Sequence, residues 1–179
     1  MMRFLPARLT RLFSDQRGVS AVEFAMLLPL MVTLYLGAVE VSQGISIDRK
    51  VTLTARTVAD LVSQVSTINN AGMTNVLNAA SAILSPYDVS KVKVTVSQVK
   101  IDASSKATVD WSDTLNGTAR AVGSTVTLPG ALTVPNTYLI WGEVQYNYQP
   151  VIGYVITGAM TLKDQLFMSP RLSNSIPRT

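Results

Sequence analysis

The sequence predicts an α+β domain carried on a single N-terminal membrane-spanning helix. Three observations predict it: one long apolar run near the N-terminus, apolar residues at steps of three and four soon after it, and alternating apolar residues in the second half. The 179 residues suffice for one ordinary domain, or a small domain plus an anchor. With 47% hydrophobic and only 15% charged residues, the chain is greasy for a soluble protein. Disorder is excluded, because so many apolar residues need burial and the net charge of +4 is small. A polytopic membrane protein is excluded, because only one stretch is long and apolar enough to span.

The charge is unevenly placed. Arg3, Arg8, Arg11 and Arg17 against Asp15 give the leader, residues 1–18, a net +3, which leaves +1 of the chain's +4 for residues 19–179. No basic face remains for nucleic acid. A cationic segment directly before an apolar run holds that end in the cytoplasm, so the chain is expected to run N-inside, C-outside. Residues 19–39 form the run; as a helix these 21 residues extend about 31 Å, the hydrocarbon thickness of a bilayer. A cleavable secretory signal fits less well. Its apolar core is shorter, and the nearest small-x-small site, Ser42-Gln43-Gly44, follows the charged Glu40.

Glu23 is the residue in this run that needs explaining. A carboxylate costs on the order of 2.5 to 3.5 kcal/mol at the bilayer centre, and less near an end, so it calls for a cationic partner. A cut between Gly18 and Val19 would create one, since the new α-amine of Val19 lies four residues from Glu23 on the same helical face. Glycine at the cut also has a physical rationale: without a Cβ, it lets a protease approach the scissile backbone closely.

The stretch Arg17-Gly18-Val19-Ser20-Ala21-Val22-Glu23-Phe24-Ala25-Met26-Leu27-Leu28-Pro29 resembles the opening of the TadE/TadG-like pseudopilins of the tight-adherence (type IVc, Flp) pilus system. Near the C-terminus, Gly142-Glu143-Val144-Gln145-Tyr146-Asn147-Tyr148-Gln149-Pro150, Gly153-Tyr154 and Phe167-Met168-Ser169-Pro170-Arg171 are similar to the end of that family's periplasmic region. The middle of the chain carries little of the resemblance, and cysteines found in some members are absent, so no disulfide is implied. The resemblance implies a pseudopilin or minor pilin in tight-adherence pilus assembly, cleaved by a prepilin peptidase between Gly18 and Val19, with Glu23 and Phe24 serving recognition and assembly. It further implies a single-pass inner-membrane protein with a cytoplasmic N-terminus and a periplasmic head over residues 40–179. Its partners would be the membrane, the peptidase, and other pilins, pseudopilins and pilus assembly proteins, with no cofactor and no small-molecule substrate. The alternative is an uncleaved, membrane-anchored periplasmic scaffold.

In the head, residues 40–46 are polar, and then Ile47, Val51, Ala55, Val58, Val62 and Val65 form an amphipathic stripe that can continue the membrane helix into a pilin-like spine. Asn69-Asn70-Ala71-Gly72 is expected to break this helix. Met73, Val76, Leu77, Ala80, Ile83 and Leu84 predict a second one, ended by Pro86. From Asp88 the period becomes two. Val92, Val94 and Val96 share one face while Val99 and Ile101 fall on the other, which predicts a bulge or bend near Ser97 and Gln98. Ala107, Val109 and Trp111 complete a hairpin across the turn at 102–106. Ile140, Val144, Tyr146 and Tyr148 mark a third strand, and residues 158–167 a fourth. Within it the tyrosines read as half-buried with wet hydroxyls, and Trp141, on the opposite parity, as exposed. Residues 112–137 form a long Gly, Thr, Asn and Pro-rich connection, either a partner contact or a plain surface excursion, with an optional edge strand at 125–128.

Catalytic chemistry finds little material. Without cysteine or histidine there is no thiol nucleophile, zinc finger, His-based triad or His-ligated metal. Ser90-Lys91-Val92-Lys93 and Ser97-Gln98-Val99-Lys100 match S-x-x-K, but that pair meets only on a helix, and residues three apart in a strand face opposite ways. Glu23 and Glu40 would stand roughly 25 Å apart on one helix, too far for paired-carboxylate chemistry. Asp110-Trp111-Ser112-Asp113 lacks EF-hand ligand spacing, and Asn116-Gly117-Thr118 fits a glycosylation sequon, which carries little weight in the bacterial setting that the resemblance implies. A structural protein, not an enzyme, is the expectation.

Overall fold

The computed structural model describes residues 17–150, 153 and 157–179; the basic leader before Arg17 lies outside them, as does Tyr154. Helix α1, Arg17–Ser63, runs unbroken for 47 residues, about 70 Å at 1.5 Å per residue. Its first half is long and apolar enough to cross a membrane. Pro29 sits inside it without ending it, and four residues on the Thr33 hydroxyl donates back to the Pro29 carbonyl at 2.8 Å, as Thr side chains do within helices. The expected stripe is buried at Ile47, Val51, Ala55, Val58 and Val62. Burial starts earlier than the stripe, however. Glu40 and Gly44 are already covered, so the polar stretch at 40–46 is helix with one face against the head.

Asn69 starts the second helix and does not break the first. Its side chain accepts from the Gly72 amide at 2.8 Å, capping α2, Asn70–Leu84, and the turn between the helices falls at residues 64–69. The Lys50 ammonium donates to the Ile83 carbonyl at 2.9 Å and to that of Ser85, so α1 supplies a cation where α2 exposes its last carbonyls.

Strands β1, Val92–Ile101, β2, Ala107–Leu115, β3, Thr137–Tyr148, and β4, Met160–Met168, form one antiparallel sheet in the order β2-β1-β3-β4. The helices cover one face of it, as expected for an α+β head. Val92, Val94 and Val96 meet Ile140, Val144, Tyr146, Tyr148 and the α1 stripe in the main core. The irregularity near Gln98 is real, but it belongs to β2. The β1–β3 register is continuous from Val92 to Ile101, whereas Gln98 faces Trp111 and Val99 faces Val109, so Asp110 is the extra residue. Val99 and Ile101 change side for a different reason. A second core lies on the outer face, where Val99, Ile101, Ala107, Leu128, Leu139 and Trp141 are buried, with Val126, Leu132 and Phe167 packed against them. Residues 116–136 form its cover. They pair with β2 at the Thr108–Thr125 bridge, where Val126 donates to the Ala107 carbonyl at 3.0 Å, Val109 to that of Ser124 at 2.9 Å and Gly123 to that of Val109 at 2.7 Å, so the optional edge strand is a short bridge centred on Thr125.

The tightest joint between the layers is at Gly142. A Cβ built there would stand 2.9 Å from the Ala55 carbonyl oxygen and 3.1 Å from the Ala59 methyl. Alanine on the helix and glycine on the strand let α1 lie directly on β3. Gly142→Ala is expected to lower stability by about 1 to 3 kcal/mol, the usual range for overpacking, because backbone must move. Gly130→Ala, at a position with nothing within 4 Å, serves as the control. Denaturant midpoints of the detergent-solubilised chain, compared at unchanged slope, check this, and equal midpoints for the two variants would refute it.

Candidate functional site

The site suggested by sequence is the exposed first half of α1. Gly18 lies in its opening turn, with no atom within 4 Å of where a Cβ would be. Val19 and Glu23 share one helical face, and Phe24 points about 100° away from Glu23. Val19 and Phe24 are more than half exposed, and no hydrogen bond or ion pair joins Glu23 to another described residue. The four residues therefore form an unobstructed helical surface rather than a pocket.

The junction with the head is built differently. Glu40 is 1% exposed, and the Tyr148 hydroxyl, itself buried, donates to the Glu40 backbone carbonyl at 3.2 Å. The end of β3 is thereby tied to the helix at the top of the apolar run. Burial raises the Tyr148 pKa above the ordinary tyrosine value, with the Glu40 charge adding to it; burial and then the Asp88 charge do the same for Tyr146. The hydroxyl of Tyr148 is not wet, because the helix supplies its partner.

Trp141 is not exposed either. It is 7% accessible, stacked on Phe167 at 5.2 Å and covered by the Arg120 guanidinium at 4.0 Å. Arg120 also holds Glu143 through both carboxylate oxygens at 2.6 and 2.7 Å, pinning the long connection to the sheet. The connection is thus the lid of a second core.

The remaining chemical candidates are consumed by structure. Asp88 caps a 3-10 turn at Val89–Lys91 by accepting from the Ser90 amide at 2.9 Å, and the Ser90 hydroxyl donates to the same oxygen at 2.7 Å. Ser97 is buried and paired with Ser112 at 2.9 Å, while Lys100 is exposed. Neither S-x-x-K forms a nucleophile and base. Asp110 accepts from Gln98 at 2.6 Å and Asp113 from Arg178 at 2.8 Å, so this acidic run serves the fold and not a cation. Asn116, at φ +54°, spends its amide on the Val89 and Val92 carbonyls. Among the described residues no cluster of carboxylates could hold a metal.

Sequence reasoning missed the C-terminal strap. Ile176 is fully buried, its amide donates to the Gln98 side chain at 2.7 Å, and its carbonyl accepts from the Trp111 indole at 2.7 Å. Arg178 forks onto Asp113 and also reaches Asn70, while Arg171 pairs with Asp60. The local signal was only Ile176 and two arginines in an otherwise polar tail.

Comparison with known proteins finds one match, and it falls on the long helix: the family model for TadE-like protein covers residues 18–60, from Gly18 through the exposed apolar half and into the buried stripe. No curated protein and no solved structure matches the chain. Over residues 18–60, the segment that forms the exposed helix and enters the core, the chain is similar to the TadE-like proteins.

Proposed function

We propose that this chain acts in assembly of a tight-adherence pilus, as a pseudopilin or minor pilin matured by cleavage between Gly18 and Val19. The observation that carries the reading is where the family match begins and ends: it starts at Gly18 and stops inside α1, on the residues that make one helix both an apolar surface and a core element. In this reading residues 1–18 are the leader, 19–39 cross the inner membrane, and 40–179 form a periplasmic head whose role is structural. Other pilus subunits and a prepilin peptidase are the partners. An apolar helix without neighbours of its own suits insertion in lipid first and packing among like helices afterwards.

Sequencing the N-terminus of membrane-extracted protein tests maturation, and Val19 is the expected first residue. Gly18→Leu should accumulate as an inserted, uncut precursor, because a branched side chain obstructs approach to the scissile backbone. An intact leader in the wild-type protein, or normal cutting of Gly18→Leu, would leave the uncleaved scaffold as the better description. A phosphatase fused after Thr179 should be active, as a periplasmic head requires; activity only in a cytoplasmic reporter would reverse the topology.

Glu23 is expected to pair with the freed amine of Val19, within one chain or between subunits. Glu23→Leu removes the burial cost and Glu23→Gln keeps size and hydrogen bonding without charge. Both variants should insert at normal levels and fail to support piliation. Normal piliation in both would deprive the glutamate of this role.

A further inference from the structure

We infer that the membrane-proximal end of the head is itself a lipid contact: an apolar patch of Val41, Ile45 and Met160 lies in the headgroup layer and seats the head on the bilayer. The inference rests on the reading of residues 19–39 as the membrane span. It adds a second, separate point of lipid contact.

The argument begins with the helix. Leu34, Ala38, Val41 and Ile45 succeed one another at steps of four, three and four, so they form one stripe, and all four are exposed. The stripe crosses the end of the apolar run without interruption. Glu40, the charged residue at that boundary, is turned off it and buried against the head beside Tyr148. On the head the stripe is joined by β4. Val41, Gly44 and Ile45 form a shallow apolar recess with Met160 and Leu162, and Asp48 marks its upper rim. Val41, Ile45 and Met160 are 46%, 50% and 41% exposed, unusual for large apolar side chains grouped together.

Depth agrees with this assignment. Val41 and Ile45 stand roughly 3 and 9 Å beyond residue 39 along an upright helix, less if it tilts, which spans the interfacial layer outside the hydrocarbon. Met160 is at the same level, because it pairs with Tyr148, whose hydroxyl meets Glu40 and whose ring lies 3.6 Å from where a Gly44 Cβ would be. Charge does not choose the lipid. Lys91, Lys93 and Lys163 at this end of the sheet lie among Asp88 and Asp164, and Arg49 follows Asp48 on α1, so both signs surround a patch whose own side chains are apolar, and zwitterionic lipid suffices.

The chain has no cysteine, so single-cysteine variants report cleanly. The full chain carrying Met160→Cys, Val32→Cys or Leu53→Cys is labelled with bimane and reconstituted in phosphatidylcholine vesicles containing lipid with a nitroxide on its headgroup. Position 32 reports the span, and position 53, exposed on the helix two turns above Ile45, reports the distal head. The expected result is loss of fluorescence at 32 and at 160 but not at 53, unchanged when protein is diluted in lipid and when anionic lipid is added. Quenching at 32 with none at 160 overturns the inference while leaving the anchor intact. A blue-shifted, unquenched probe at 160 also overturns it, whether another part of the chain or a second copy covers the patch, with fading on dilution marking the copy. No quenching at 32 overturns the anchor reading and the inference with it.

Discussion

The contact between α1 and β3 at Gly142 is the constraint on which the rest of the molecule depends. One helix has to leave an apolar environment and then form the floor of a small core, and it can do both only by lying flat on the sheet. Ala55 and Ala59 above a glycine bring the two backbones together there. That approach sets the height of every other layer: the valines of β1 reach the helix stripe, and α2 fits beside α1 with Lys50 at its C-terminal end. A continuous α1 transmits the head's position to residues 18–32, all of which are exposed.

Away from α1, the C-terminal strap lies between the interhelical turn and the side chains of Gln98, Trp111 and Asp113 on β1 and β2. Residues 64–69 leave backbone groups uncovered where α1 turns into α2, and the tail satisfies them: Ile68 donates to the Pro177 carbonyl and Thr179 to that of Ile68, both at 3.0 Å. Gln98 is the pivot, bonded at one end to Asp110 of the bulge and at the other to Ile176. A buried amide with both ends matched costs little and fixes the position of the tail. The bulge in β2 and the burial of the C-terminus are therefore one arrangement.

The outer face of the sheet is divided. Its distal half is a second core under residues 116–136, locked by Arg120 between Trp141 and Glu143. The half nearer the apolar end of α1 is exposed and polar, with Lys93, Gln145 and Lys163 in one cross-strand row. The two halves suit a head that meets lipid at one end. Bulk is placed distally, and among the described residues at the proximal end the exposed large apolar groups are Val41 and Ile45 of α1 and Met160 of β4.

Period and composition sufficed for whatever depends on neighbours along the chain. The long apolar run, the i, i+3, i+4 stripe, the alternation of β1 and β3 and the hairpin are local consequences of which side each residue must bury, and they were legible at once. Gly18, Val19, Glu23 and Phe24 were likewise legible as positions on that helix, and all four are exposed among the described residues. What the tertiary structure alone decided was the role of residues that meet partners far away in the chain. Trp141 and Tyr148 read as exposed or wet because alternation says which face a side chain takes, not what covers that face; the covers come from Arg120 and from the Glu40 carbonyl, the latter more than a hundred positions earlier. The Val99 and Ile101 parity change read as a bend in β1 because a second core cannot be seen until the 116–136 segment folds onto it. The strap stayed hidden for the same reason: a lone isoleucine in a polar tail carries no period, and only the sheet edge and the interhelical turn give it somewhere to go.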